Sequence, residues 1–106
     1  MIGVVVPVHN EERLLARCLA SLQQSARSEL LHCEPVEIVV VLDTCTDESH
    51  AIASWRNVTI LQGDLRNVGA ARALGADYCL QRKARWLAFT DADTVVAPDW
   101  LAGQLE

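Results

Sequence analysis

Apolar residues along this chain fall into two kinds of run. Ile2–Val6 and Ile38–Leu42 are unbroken, largely β-branched stretches. Continuous rather than alternating apolarity is expected of strands covered on both faces. They form the centres of two predicted strands, Met1–Pro7 and Glu37–Asp43, with Pro7 expected to end the first. Shorter strands are predicted over Val58–Leu61 and Arg85–Thr90. The intervening apolar residues follow a helical period. Leu14, Leu15, Cys18, Leu19 and Leu22 mark a helix running to about Ser25, with Asn10 as its cap and Glu11 and Glu12 suited to its positive first turn. A polar loop then covers Ala26–Pro35. Thr44-Cys45-Thr46-Asp47 is rich in capping residues and precedes a short helix over Glu48–Trp55, with Asp47 the better placed cap. After the loop Gly63–Val68, an alanine-rich helix spans Gly69–Arg82, with Ala71, Leu74 and Tyr78 expected on its inner face. Gly75 inside it suggests close packing on the sheet, since glycine in a helix costs about 1 kcal/mol relative to alanine. Ala97–Leu101 opens a last helix, with Pro98 near its first turn.

The resulting order, β-α-β-α-β-α-β and then a helix start, predicts an α/β fold: a three-layer sandwich with a mainly parallel sheet and helices on both sides. Residues 1–106 read as one domain without repeats or linkers. Sheets of this kind usually carry more strands, so the chain is expected to be a piece of a larger protein. Trp100 and Leu101 are the candidate apolar surface at its cut edge, through which a homodimer would form.

Composition narrows the class. Half the residues are apolar (51%), which excludes a disordered tail, and fourteen acidic against nine basic residues give a net charge of −5. Nucleic-acid binding by charge is therefore not expected, whereas a diphosphate can still be held through a divalent cation. No apolar run approaches the roughly 18 residues of a membrane span, and Met1 leads straight into a strand without a basic leader. A cytoplasmic domain is the expectation, with any membrane association coming from other parts of the protein. Cys18, Cys33, Cys45 and Cys79 form no C-x-x-C pair and are expected to be free thiols.

Ligands of open α/β sheets bind at the carboxyl ends of the strands, where the polar residues of this chain collect. The first strand delivers Pro7, Val8, His9, Asn10 and Glu11, the second Asp43, the fourth Asp91 and Asp93. Carboxylates gathered at one edge repel unless a positive group lies between them. Mn²⁺ or Mg²⁺ with a bound phosphate meets that need, because such cations take oxygen ligands and commonly use one or two protein carboxylates. In an extended segment the spacing of Asp91 and Asp93 puts both side chains on one side. Asp43, relieved of capping by Asp47, is expected to be free to contact a base edge. Arg72, one turn into its helix, is expected to meet phosphate or a carboxylate such as Asp43.

Four segments in order carry a family resemblance: Val4-Val5-Val6-Pro7-Val8-His9-Asn10-Glu11-Glu12, Val39–Asp47, Asn67-Val68-Gly69-Ala70-Ala71-Arg72-Ala73-Leu74-Gly75 and Phe89-Thr90-Asp91-Ala92-Asp93-Thr94, followed by Pro98-Asp99-Trp100-Leu101. Together they resemble the family-2 inverting glycosyltransferases, with a Rossmann-like GT-A fold, over nearly the whole chain. The resemblance implies that Pro7 and Val8 line a base pocket through their backbone and that Asp43 hydrogen-bonds the base. It places Asp91 near the ribose and has Asp93, with Asp91, coordinate Mn²⁺ or Mg²⁺ on the diphosphate. Glu11, Asn67 and Arg72 are the other substrate-binding candidates. The implied donor is a nucleoside diphosphate sugar, a UDP-sugar first, and the acceptor an unspecified hydroxyl. The family's catalytic base lies well past the D-x-D, beyond Glu106, so residues 1–106 are expected to bind donor without transferring sugar. The chain departs from the family pattern at Leu42, Thr44, Cys45 and Ala73, where the pattern has Asp, Gly, Ser and Asn.

Two other enzyme classes fit less well. A nucleotidyltransferase making nucleotide sugars would want a glycine-rich basic loop after the first strand, and a dinucleotide-binding oxidoreductase would want G-x-G-x-x-G there. The loop is instead acidic and has no glycine. A non-catalytic α/β binding module is the remaining alternative.

Overall fold

The computed structural model describes residues 1–105. Its elements are β1 (Ile2–Val8), α1 (Leu15–Ala26), a single 3₁₀ turn (Glu29–Leu31), β2 (Val36–Asp43), α2 (Ser49–Trp55), β3 (Thr59–Gly63), α3 (Val68–Gln81), β4 (Trp86–Phe89) and α4 (Trp100–Gln104). All four strands run parallel in the order β3-β2-β1-β4. The chain winds outward from β1 through β2 to β3, then crosses back to place β4 on the other side of β1. That reversal leaves a crevice at the carboxyl ends of β1 and β4, where open α/β sheets take their ligands.

The central strands β1 and β2 are covered on both faces, which accounts for their unbroken apolarity. On one face Ile2, Val4, Val6 and Val8 join Ile38, Val40 and Leu42 under Leu15, Cys18, Leu19 and Leu22 of α1 and Leu101 of α4. On the other, Val5, Val39 and Val41 pack against Ala71 and Cys79 of α3. The layers are therefore helix, sheet, helix. All four cysteines are free thiols.

Several boundaries differ from the sequence reading for identifiable reasons. β1 continues through Pro7 to Val8, with Pro7 opposite Val41. Val5 accepts from Thr90 N on the β4 side, so Pro7, two residues on, turns its missing N–H toward the same side. There β4 has already ended at Phe89, opposite Val5, and no hydrogen bond is lost. α1 begins at Leu15, and Asn10 does not cap it, because Asn10 has φ 50° and its side chain serves another loop. α3 buries Ala71, Gly75 and Cys79, while Leu74 is exposed and Tyr78 only half-buried. Small residues sit inward because α3 lies close to the sheet.

Trp100 and Leu101 are not an exposed edge. Leu101 is fully buried and Trp100 packs against the same core. Two buried serines of α1 fix this segment: Ser21 Oγ accepts from Val96 N at 3.1 Å and Ser25 Oγ from Leu101 N at 3.0 Å. Large apolar side chains that are left exposed include Trp86 and Phe89 of the edge strand β4 and Val95 after it.

Gly75 shows how tightly α3 is seated. A Cβ there would overlap Val5 Cγ1 and come within 3.1 Å of Val41 Cγ2, whereas one at Gly103 in α4 would meet nothing. Overpacking costs about 1–3 kcal/mol, against a helix-propensity gain of up to about 1 kcal/mol for alanine. Gly75→Ala is therefore expected to lower stability and Gly103→Ala to leave it unchanged or raise it. Urea denaturation of the two variants measures the difference, and equal midpoints would show that α3 is looser than described.

Candidate functional site

The loops that follow β1 and β2 are laced together by the motif residues themselves. Asn10 Oδ1 accepts from Thr46 N at 2.8 Å. Asp47 Oδ2 accepts from Glu12 N and Glu12 Oε2 from Glu48 N. Glu11 N donates to Ser49 Oγ at 3.1 Å. Asp47 Oδ1 also accepts from Ser49 N at the start of α2, which begins one residue later than expected, so that Glu48 and not Asp47 stands at its N-cap. Much of the Asn-Glu-Glu motif thus holds two loops in register through backbone amides. The Glu11 carboxylate makes none of these contacts and lines the crevice.

Asp43, at the end of β2, is not free as expected. Its Oδ1 accepts from Leu65 N at 2.7 Å, Arg66 N at 2.8 Å and Thr44 Oγ1 at 3.0 Å, and its Oδ2 from Asn67 N at 3.0 Å. The residue is 6% exposed. Capping was the wrong competitor to consider; the competitor is the backbone turn after β3, twenty-odd residues away. Burial by itself would raise the Asp43 pKa. The amide hydrogen bonds from Arg66, Asn67 and Leu65, with the Thr44 hydroxyl, outweigh it and bring the pKa down to about 2. This turn delivers the first residues of α3. Asn67 caps that helix, its Oδ1 accepting from Ala70 N at 2.9 Å, so the Asn67 side-chain oxygen is already committed. Arg66 and Thr44 have φ 51° and 55°. Thr44 stands where the family pattern has glycine, and the left-handed backbone explains that preference.

Beyond β4 the chain does not stay extended through Asp91-Ala92-Asp93. It turns, Thr94 N donating to Asp91 O at 3.1 Å. Ala92 is buried in the core beneath α1, and Asp91 and Asp93 are exposed on either side of it. Both nevertheless face one cavity, because the turn is anchored by Ala92 at the β1–β4 crevice. Arg72 pairs with Asp91 (Nη2 to Oδ1, 3.2 Å) and not with Asp43. Both partners are largely solvated, so the pair contributes at most about 1 kcal/mol.

Two adjoining cavities result. One, about 320 Å³, is lined by Pro7, Val8, His9, Glu11, Asp43, Val68, Ala71, Asp91, Ala92 and Asp93. The other, about 420 Å³, is lined by His9, Asp43, Thr44, Arg66, Asn67 and Val68. Val8 contributes backbone only, since its side chain lies in the core. Pro7, Glu11, Asp43, Asp91 and Asp93 are brought together; Asn67 borders the second cavity and Arg72 reaches the site through Asp91. Val68 and Ala71 are wall residues that the sequence did not assign to the site; Ala71 was expected only on the inner face of α3, and small apolar residues at a helix start carry no signal for a ligand. The first cavity has carboxylates and no Lys or Arg in its wall. Among the described residues, no three His, Cys, Asp or Glu side chains converge to hold a metal by themselves. Two carboxylates are what Mg²⁺ or Mn²⁺ commonly takes from protein when phosphate oxygens and water supply the rest.

The sequence matches the family Glycosyl transferase family 2 over residues 3–106. It is 30% identical over 105 residues to poly(ribitol-phosphate) β-glucosyltransferase of Bacillus spizizenii, covering 94% of this chain and 16% of that protein. Among solved structures, TarS 1–349 of S. aureus superposes with a TM-score of 0.79 at 23% identity, over 98% of this chain and 31% of that one. The mannosyltransferase PcManGT of Pyrobaculum calidifontis, solved with GDP-Man and Mn²⁺, gives 0.75 at 22% identity, over 98% and 31%. Glucosyl-3-phosphoglycerate synthase of M. tuberculosis, solved with Mn²⁺, UDP and glucosyl-3-phosphoglycerate, gives 0.69 at 24% identity, over 99% and 39%. These structures share the fold, and the chain spans well under half the length of each relative.

Asp43 makes an acid-stability prediction. Its folded pKa of about 2 lies below the ordinary carboxylate value of 3.8. Its stabilising contribution is therefore present above about pH 4 and is lost as pH falls through about 2. Asp43→Asn, with one acceptor for four donors, is expected to lower the melting temperature at pH 7 by several degrees. It should also flatten the pH dependence between 4 and 2, and speed amide exchange at Leu65, Arg66 and Asn67. Unchanged exchange at those three amides would show that the carboxylate does not hold the turn.

Proposed function

The chain belongs to glycosyl transferase family 2, and from that premise we propose that the paired cavities are the donor site of a glycosyltransferase. The ligand is a nucleoside diphosphate sugar, a UDP-sugar first, bound with Mn²⁺ or Mg²⁺, and the sugar goes to an acceptor hydroxyl. The observation that carries this reading is Asp91 and Asp93 opening from one turn into a cavity at the β1–β4 crevice. The relatives solved with UDP or GDP-Man and Mn²⁺ support it by analogy of fold.

In this reading Asp93 and Asp91 hold the cation, and with it the diphosphate, at the mouth of the first cavity. A bound cation supplies Lewis-acid neutralisation of the leaving nucleoside diphosphate. The protein's own residues position the donor. Pro7 and Val8 present the strand end as a wall, Ala71 and Val68 close the opposite side, and Arg72 orients Asp91. Glu11 keeps the cavity anionic, so the diphosphate enters only with its cation. Asp43 acts by framing the second cavity, the space left for the base, through the turn it holds. Free thiols at all four cysteines fit a reducing cytoplasm.

Calorimetric titration with UDP and GDP, with and without Mn²⁺, tests the reading on wild type and Asp93→Ala. Binding is expected only with Mn²⁺, and is expected to weaken at least about tenfold in the variant, as loss of a charged contact should. A folded chain that binds neither nucleotide, or binds equally well without metal and without Asp93, would sink it.

A further inference from the structure

The buried face of α1 carries three polar side chains. Cys18, Ser21 and Ser25 stand at helical spacing among Leu15, Leu19 and Leu22, and all three are buried. A buried polar group costs free energy unless it is hydrogen-bonded, and each of these is bonded to the segment that follows β4. The Cys18 thiol donates to the Asp91 carbonyl oxygen at 3.5 Å. Ser21 Oγ accepts from Val96 N at 3.1 Å. Its own hydroxyl hydrogen goes to the Cys18 carbonyl oxygen, 2.7 Å away, which leaves a lone pair for the Val96 amide. Ser25 Oγ accepts from Leu101 N at 3.0 Å.

These contacts act on different parts of the segment. Asp93 lies between the first two. On either side of it Ala92 and Val96 bury their side chains in the core shared with α1. Cys18 meets the Asp91 carbonyl, which also closes the turn by accepting from Thr94 N. Thr94–Ala97 has no regular secondary structure, so the Val96 amide has no ladder to join and depends on Ser21. The exposed Asp93 is thus carried on a short span clamped at both ends. The Ser25 bond, in contrast, holds α4, beyond Pro98.

We propose that Ser21, with Cys18, is a positioning residue of the donor site: it holds the span bearing Asp93 in the conformation that meets the cation. The inference rests on the donor-site reading above. Neither side chain lines either cavity, so both act through the backbone of the turn. A carboxylate on a loose loop would have to be ordered by the incoming cation, at a cost in affinity. A span ordered beforehand by α1 removes that cost.

The test compares wild type, Ser21→Ala, Ser21→Thr and Ser25→Ala. Each alanine variant leaves one buried amide without its acceptor, so both are expected to melt lower than wild type. Ser25→Ala is therefore the control for lost stability alone. Calorimetry with UDP and Mn²⁺, at a temperature where each variant is folded, is expected to show binding about five- to thirtyfold weaker in Ser21→Ala. That is the cost of ordering about one residue of backbone. Binding should be unchanged in Ser25→Ala and recover in Ser21→Thr, which keeps the hydroxyl. In the metal-free protein, amide exchange at Thr94 and Val96 should speed up in Ser21→Ala and not in Ser25→Ala. If Ser21→Ala does not fold, Cys18→Ala decides: weaker binding than Ser25→Ala supports the inference, and equal binding overturns it. Wild-type affinity in folded Ser21→Ala, an equal loss in Ser25→Ala, or a folded Ser21→Thr that binds as weakly as Ser21→Ala would also overturn it and leave the donor site standing. If the folded wild type does not bind UDP with Mn²⁺, both fall together.

Discussion

The site depends on one buried carboxylate accepting from a stretch of backbone that is remote in sequence. Asp43 ends β2, and Leu65, Arg66 and Asn67 follow β3. Three amides in successive residues can meet one carboxylate only if the chain turns tightly around it, and the positive φ of Arg66 is part of that turn. The turn sets where α3 begins, and α3 supplies Val68 and Ala71 to the cavity wall. An aspartate that looked like a ligand contact is first the post on which the wall of the site is hung.

The second determinant is topological. Because β4 returns to the far side of β1, the turn bearing Asp91 and Asp93 comes up beside the Pro7–His9 strand end. Close seating of α3, enforced by the lack of a side chain at Gly75, brings Arg72 within reach of Asp91. Loop lacing among Asn10, Thr46, Glu12, Asp47 and Ser49 then fixes the rim. With the rim held by backbone hydrogen bonds, the half-buried Glu11 carboxylate and the exposed Asp93 are left over for solvent, cation or ligand, beside Asp91 in its solvated pair with Arg72.

The departures from the family pattern also have structural correlates. Leu42 replaces an aspartate and lies in the core with 3% exposure, so the side chain points away from the site. Thr44 replaces a glycine and is held in the left-handed region, where its hydroxyl reaches both Asp43 and Asp64. Cys45 stands where the pattern has serine and directs its thiol at the Val8 carbonyl oxygen, 3.4 Å away. Ala73 is exposed on α3, and nothing in the structure explains its difference from asparagine.

The sequence by itself determined the class of fold, because unbroken apolar strands alternating with helical periods admit little besides a parallel sheet covered on both faces. It also located the chemistry, since aspartates at strand ends converge wherever the strands run parallel. Roles were harder to read. Asp43 and Asn67 looked available, and Asn10 looked like the cap of α1, because their actual partners are backbone amides, which every residue carries and no sequence pattern marks. Gly75 packs on the sheet as expected, but Leu74 beside it is exposed, because helix periodicity gives the inner face only approximately and the close approach to Val5 and Val41 admits only the smaller residue. Trp100 and Leu101 looked like an open edge until Ser25, 76 residues before Leu101, was seen to hold that helix to α1. In each case the deciding contact spans distant segments, so only the tertiary structure could assign it.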